Sequence, residues 1–165
     1  MAASLESHTH TGLIEPGMVL SQISAADKAA VFRVAVERLS ALGRTVDARS
    51  VEKALWERER SGATGLGEGY AIPHCRTDAI QLNSVVLVKL RTPLDWGAFD
   101  GQPVRTVALL ALRRTDSMGE HLRILARFSR LLMQAPFRKR LEEEEDAPAI
   151  CEFLASSLNL PDGTW

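Results

Sequence analysis

Gly62-Ala63-Thr64-Gly65-Leu66-Gly67-Glu68-Gly69-Tyr70-Ala71-Ile72-Pro73-His74-Cys75-Arg76 is the stretch from which the rest of the chain is read. Four glycines in eight residues free the backbone for positive φ and let its N–H groups approach a ligand closely, as in anion-binding concavities. Pro73 then stiffens the chain immediately before His74. An imidazole able to act as a nucleophile or a metal ligand is thereby presented at the end of an ordered loop.

On the N-terminal side of this stretch, Asp47 is placed to cap a helix running to about Arg60. Val51, Ala54 and Leu55 form its inward side, and Glu52, Lys53, Glu57 and Glu59 are expected to face water. The helix delivers Arg58 and Arg60 to the glycine-rich loop. An earlier helix is predicted after Ser24, with Asp27 as its capping-box acid, a stripe of Val31, Val34, Ala35, Leu39 and Leu42, and Gly43 as its stop. Leu13 to Ile23, broken by Pro16 and Gly17, reads as an extended arm with one turn of helix. Residues 1–12 read as a flexible tail whose His8 and His10 make too weak a motif for a metal site.

On the C-terminal side, Ser84 to Leu90 and Val104 to Leu112 are apolar runs of strand length, separated by the turn-rich segment Thr92 to Pro103. Both runs are nearly continuous in hydrophobicity, which implies a sheet covered by helices on both faces: a three-layer α/β fold. Ser117 caps a further helix, with Glu120 completing a capping box; it carries His121, Leu122, Ile124, Leu125, Phe128, Leu131 and Leu132, and stops before Pro136. Short helices at Phe137 to Leu141 and about Ala147 to Leu158 finish the chain. The acidic run Glu142 to Asp146 between them reads as a solvated linker.

The 165 residues fit one domain, expected over 13–165. Lys+Arg 20 against Asp+Glu 21 leaves a net charge of -1, so no global basic field draws nucleic acid or anionic membrane. No apolar run has the length to cross a bilayer, and no signal-peptide pattern opens the chain, so a soluble, cytoplasmic protein is expected. Cys75 and Cys151 have neither zinc-motif spacing nor the density of a disulfide scaffold, which suits a reducing compartment.

Several chemistries fail on the glycine-rich stretch. A phosphate-binding P-loop needs a Gly-Lys-Ser/Thr ending that leads into a helix, and a dinucleotide fingerprint needs a preceding strand. His74 lacks a close-spaced partner for a metal centre, and no Gly-x-Ser-x-Gly elbow is present. What remains is His74 as a nucleophile, with arginines and glycine amides suited to the oxygens of a phosphoryl group.

Arg58-Glu59, Gly62 to Gly69, Ala71-Ile72-Pro73-His74, Asp100-Gly101-Gln102-Pro103-Val104 and Glu120-His121-Leu122 together resemble the enzyme IIA domains of the fructose, mannitol and nitrogen-regulatory phosphotransferase systems. The resemblance covers about residues 13 to 158. It implies a mixed β-sheet with helices on both faces and a phosphoryl relay, with the phosphorylated histidine at His74, the active-site arginine at Arg58 and the second active-site histidine at His121. The donor would be the small histidine phosphocarrier protein, and neither metal nor cofactor is implied. Gly65, Gly67 and Gly69, with Thr64 in second place, are the expected phosphoryl-binding residues.

The resemblance also frames the alternatives. A nitrogen-regulatory enzyme IIA, acting on target proteins through its phosphorylation state, is favoured because the chain ends near Trp165 without a fused carrier, enzyme IIB or membrane domain. A sugar-specific enzyme IIA passing phosphate to an enzyme IIB cysteine is second, and a binding module that is never phosphorylated is third. Tyr70 is expected on a partner-facing surface, Phe99 and the Trp96 segment on a docking surface, and Cys75 as an oxidation site beside the histidine.

Overall fold

The computed structural model describes residues 12–115 and 117–158, so the tail expected at 1–12 lies outside it except for Gly12. The two apolar runs become the centre of a six-stranded mixed sheet. β5 (Ser84–Leu94) and β6 (Val104–Arg113) lie antiparallel, with Val86 opposite Leu109 and Val88 opposite Val107. Successive strand residues point to opposite faces, and Val85 through Val88 and Val107 through Ala111 are all fully buried, so both faces are covered. The covering elements are α1 (Lys28–Ala41), α2 (Ala48–Arg60), α3 (Met118–Leu132), α4 (Ala135–Glu143) and α5 (Ala147–Ser157).

The arm from Leu13 contains a single 3-10 turn, Pro16–Met18, and then enters the sheet as β1 (Val19–Ile23), parallel to β5. Arg44 pins it: the fully buried guanidinium donates to the Gly12 and Asn83 carbonyls and to Ser84 Oγ, and pairs with Glu15 at 2.8 Å.

The glycine-rich stretch contains three short strands that its glycines obscured: β2 (Gly65–Gly67), β3 (Tyr70–Ala71) and β4 (His74–Thr77). β2 and β3 form a hairpin. β3 and β4 follow one another along β6, both parallel to it, with Tyr70 beside Thr106 and His74 beside Leu110. Pro73 sits in the gap. It has no N–H for a ladder, but its carbonyl accepts the Leu110 N–H at 2.9 Å. Gly65 has a steric duty, because a Cβ there would fall 2.7 Å from Ala98 Cα. Gly65→Ala should therefore push the 95–103 segment off the hairpin and cost about 1–3 kcal/mol of stability. Thermal unfolding reads this, and an unchanged midpoint would show that the segment yields without cost.

Capping follows the sequence with local corrections. Asp27, rather than Ser24, caps α1 by accepting the Ala30 N–H at 2.9 Å. Asp47 caps α2, and Ser117 Oγ accepts the Glu120 N–H at the start of α3. Pro136 begins a helix instead of only ending one, since the first turn needs no N–H from it. The acidic run is divided: Glu142 and Glu143 belong to α4, and Asp146 caps α5 through the Ala149 N–H. Lys89 Nζ donates to the Leu141 and Glu144 carbonyls at the negative end of α4.

Candidate functional site

The two nitrogens of His74 have different partners. Nδ1 lies 2.9 Å from the Ile72 carbonyl oxygen, which only accepts, so Nδ1 carries the proton. Nε2 lies 3.2 Å from Arg58 Nε, which only donates, so Nε2 keeps its lone pair. These partners assign the tautomer. Burial is the main cause holding the imidazole pKa below its ordinary value; the Ile72 hydrogen bond opposes it, the Arg58 charge lowers the pKa further and Glu59 raises it. The ring is therefore neutral at neutral pH, with an unprotonated nitrogen facing a guanidinium.

Arg58 reaches His74 from the last turn of α2, and its Nη1 donates to the Gly62 carbonyl at 2.8 Å. The planar guanidinium is thus held from two sides and retains further N–H groups for an anion. His74 and Arg58 together line two cavities. One, of about 320 Å³, is largely apolar, with Ala54, Leu112, Met118, Leu122 and Leu125 in its walls. The other, of about 250 Å³, is bounded by Thr64, Gly65, Leu66, Ile72 and Ser129.

His121, in the first turn of α3 and buried, lines the apolar cavity with His74, so the structure brings all three expected catalytic residues together. The expected glycine cradle narrows. Gly65 lines a cavity with His74, but the hairpin carries Gly67 to Asp100 and Gly69 against the Arg105 guanidinium, and neither glycine lines these two cavities. Thr64 is close to His74, yet its N–H and its hydroxyl both donate to Glu59, at 2.9 and 2.6 Å. No Thr64 proton is left for a ligand.

Glu59, expected to face water, turns inward instead. It is 7% exposed, not water-facing, and takes Lys28 Nζ at 2.9 Å as well as Thr64. The signal was present: Val51, Leu55 and Glu59 are four residues apart and share one helix stripe, so burial of the first two carries the third inward. Tyr70 is likewise buried, not partner-facing; its hydroxyl reaches Glu142 at 3.1 Å, and burial, then the Glu142 charge, pushes its pKa up. Cys75 lines the apolar cavity, but burial pushes its thiol up to about 12, which leaves it protonated and a poor target for oxidation. Trp96 is buried, whereas Phe99 on the same segment is fully exposed.

The model of the family described as phosphoenolpyruvate-dependent sugar phosphotransferase system, EIIA 2, matches residues 13–157. The chain is 34% identical over 146 residues to the nitrogen regulatory protein of Bradyrhizobium diazoefficiens, covering 88% of this chain and 94% of that protein. It is 31% identical over 144 residues to the fructose-specific EIIABC component of Bacillus subtilis, covering 87% of this chain but spanning only 22% of that longer protein. Among solved structures, nitrogen regulatory protein IIA-Ntr from Neisseria meningitidis matches with a TM-score of 0.78 at 26% identity, covering 89% of this chain and 97% of that one. A match that runs from the β1 arm to the end of α5 takes in every strand and helix around His74, and the chain belongs to the EIIA 2 family of phosphotransferase-system components.

Proposed function

We propose that this chain accepts a phosphoryl group on Nε2 of His74 from the phosphohistidine of the small histidine phosphocarrier protein, and that it is a nitrogen-regulatory enzyme IIA acting on target proteins through its phosphorylation state. The observation that carries this reading is the division of the imidazole between Ile72 and Arg58. In the transfer, the Nε2 lone pair forms the new N–P bond while the donor's N–P bond breaks and its electron pair returns to the donor ring. No net proton movement is needed. Nδ1–H stays on the Ile72 carbonyl, which stabilises the positive charge the ring gains. Arg58 must shift its N–H groups from Nε2 to the phosphoryl oxygens, where charge-assisted hydrogen bonds are stronger.

A partner has to approach closely for such in-line transfer. Met118 and Leu122 are more than half exposed at the rim of the apolar cavity and suit a protein surface there. His121 is proposed to orient the phosphoryl group from the same cavity. The identity shared with a nitrogen regulatory protein along 94% of its length supports the regulatory branch. A sugar-type role, handing phosphate to an enzyme IIB cysteine, is the second reading, supported by the likeness to a fructose-specific component. A cytoplasmic location is part of the proposal. Among the described residues, no helix is long and apolar enough to cross a membrane.

Incubation with the phosphorylated carrier, followed by mass and acid-lability assays, tests the reading. Acid-labile phosphate on the chain is the expected result; its absence would leave only a binding module. Onward passage of that phosphate to an enzyme IIB would decide for the sugar branch. The pH dependence adds a second check. A folded-state pKa below the ordinary imidazole value leaves more than half of the rings neutral at about pH 6.5, where a free imidazole is half protonated. An NMR titration of His74 should have its midpoint below that value; a midpoint at or above it would contradict the protection attributed to burial.

A further inference from the structure

Glu59 is a carboxylate whose side chain is 3% exposed, one residue along α2 from Arg58, and the transfer described above makes no direct use of it. A buried charge is costly unless it is fully paired. Oε2 accepts from Lys28 Nζ and from the Thr64 N–H, both at 2.9 Å, and Oε1 accepts the Thr64 hydroxyl at 2.6 Å. Trp96 Nε1 donates to the same hydroxyl at 3.1 Å, which leaves that hydroxyl's proton for Glu59.

The line of hydrogen bonds does not stop at Thr64. The Thr64 carbonyl accepts the Ile72 N–H at 2.9 Å, and the Ile72 carbonyl accepts Nδ1–H of His74 at 2.9 Å. Glu59 is therefore connected, through two backbone units, to the ring nitrogen opposite the one that attacks. The short turn from Ser61 to Thr64 also carries the Gly62 carbonyl that holds Arg58 Nη1. The groups facing both ring nitrogens thus depend on a turn anchored by one buried carboxylate.

We propose that Glu59 is a positioning residue for the phosphoryl acceptor. Through Thr64 it fixes the Ile72 carbonyl, which keeps the proton on Nδ1 and leaves Nε2 bare, and it holds the turn that aims Arg58. Without this anchor Thr64 is released, the Ile72 carbonyl shifts, and the imidazole gains access to the tautomer with its proton on Nε2, which has no lone pair for phosphorus. The effect on transfer rests on the proposed role of His74; the effect on its tautomer does not.

Nitrogen NMR of the His74 ring in the unphosphorylated protein separates the two. In the wild type the shifts should report a single tautomer protonated at Nδ1. Glu59→Gln should give a tautomer mixture and slow phosphoryl acceptance by about tenfold to a hundredfold, with the effect in kcat and not in KM for the carrier. A folded Glu59→Gln protein with wild-type His74 shifts and wild-type kcat would overturn the proposal. Thr64→Val and Thr64→Ser keep the test decisive if Glu59→Gln fails to fold, because only serine restores the hydroxyl that Glu59 accepts. A shifted tautomer balance in valine that serine restores would support the positioning role; wild-type spectra and rates in both would sink it. If the wild type takes up no phosphate but the tautomer responds as stated, the proposed function fails and the positioning of the ring stands.

Discussion

His74→Ala should emerge from incubation with the phosphorylated carrier with no acid-labile phosphate at all, while keeping its fold. The loss is complete because, in the proposed transfer, the new bond is made by the Nε2 lone pair, and alanine offers no nucleophile in its place. The fold should survive because β4 is held to β6 by backbone pairing from His74 to Thr77, which does not depend on the imidazole. Far-ultraviolet circular dichroism and a thermal scan check the second half, and mass spectrometry with acid treatment checks the first. Phosphate persisting on the folded variant would move the acceptor elsewhere, with His121 in the same cavity the first place to look.

Arg58→Ala should slow acceptance by roughly a hundredfold to a thousandfold, the range seen when a preorganised donor to developing charge is removed. Two effects combine. The phosphoryl oxygens lose planar, charge-assisted N–H donors, and the His74 pKa rises, because the Arg58 charge is one of the causes that lower it. A larger share of the ring is then protonated near neutral pH and cannot attack. Arg58→Lys should restore part of the second effect and little of the first, since an ammonium does not reproduce the fork that bonds Nε2 and Gly62 together. Single-turnover rates across pH separate the two. A rate equal to wild type would reduce Arg58 to a cation that merely suits a helix C-terminus.

The parts of the fold set by long-range patterning were legible in the sequence. The apolar runs at β5 and β6 announced a sheet buried on both faces, and Asp47 and Ser117 announced the starts of α2 and α3. The strands inside the glycine-rich stretch were not legible, because β3 is two residues long and its strand character comes from pairing with β6. Arg58, His74 and His121, expected together from motifs far apart in the chain, do line one cavity. Gly67, Gly69 and Thr64 show the opposite case: composition suggested phosphate-binding donors, but the hairpin turn carried the two glycines away and Glu59 took up both Thr64 protons. The charge of Glu59 points to water, but its place on the Val51 and Leu55 stripe is the stronger indication of where it goes.

The register of β3 and β4 against β6 is continuous across Pro73, from Tyr70 and Ala71 through to His74 and Cys75. Side chains on an extended strand alternate between faces, so this uninterrupted phase determines whether position 74 presents its ring to the cavities or buries it beneath the sheet. The spacing between the short strands therefore tolerates substitution but not a change in length. One residue inserted or deleted between Ala71 and His74 would turn the imidazole to the opposite face of the strand and take it away from both the Ile72 carbonyl and Arg58.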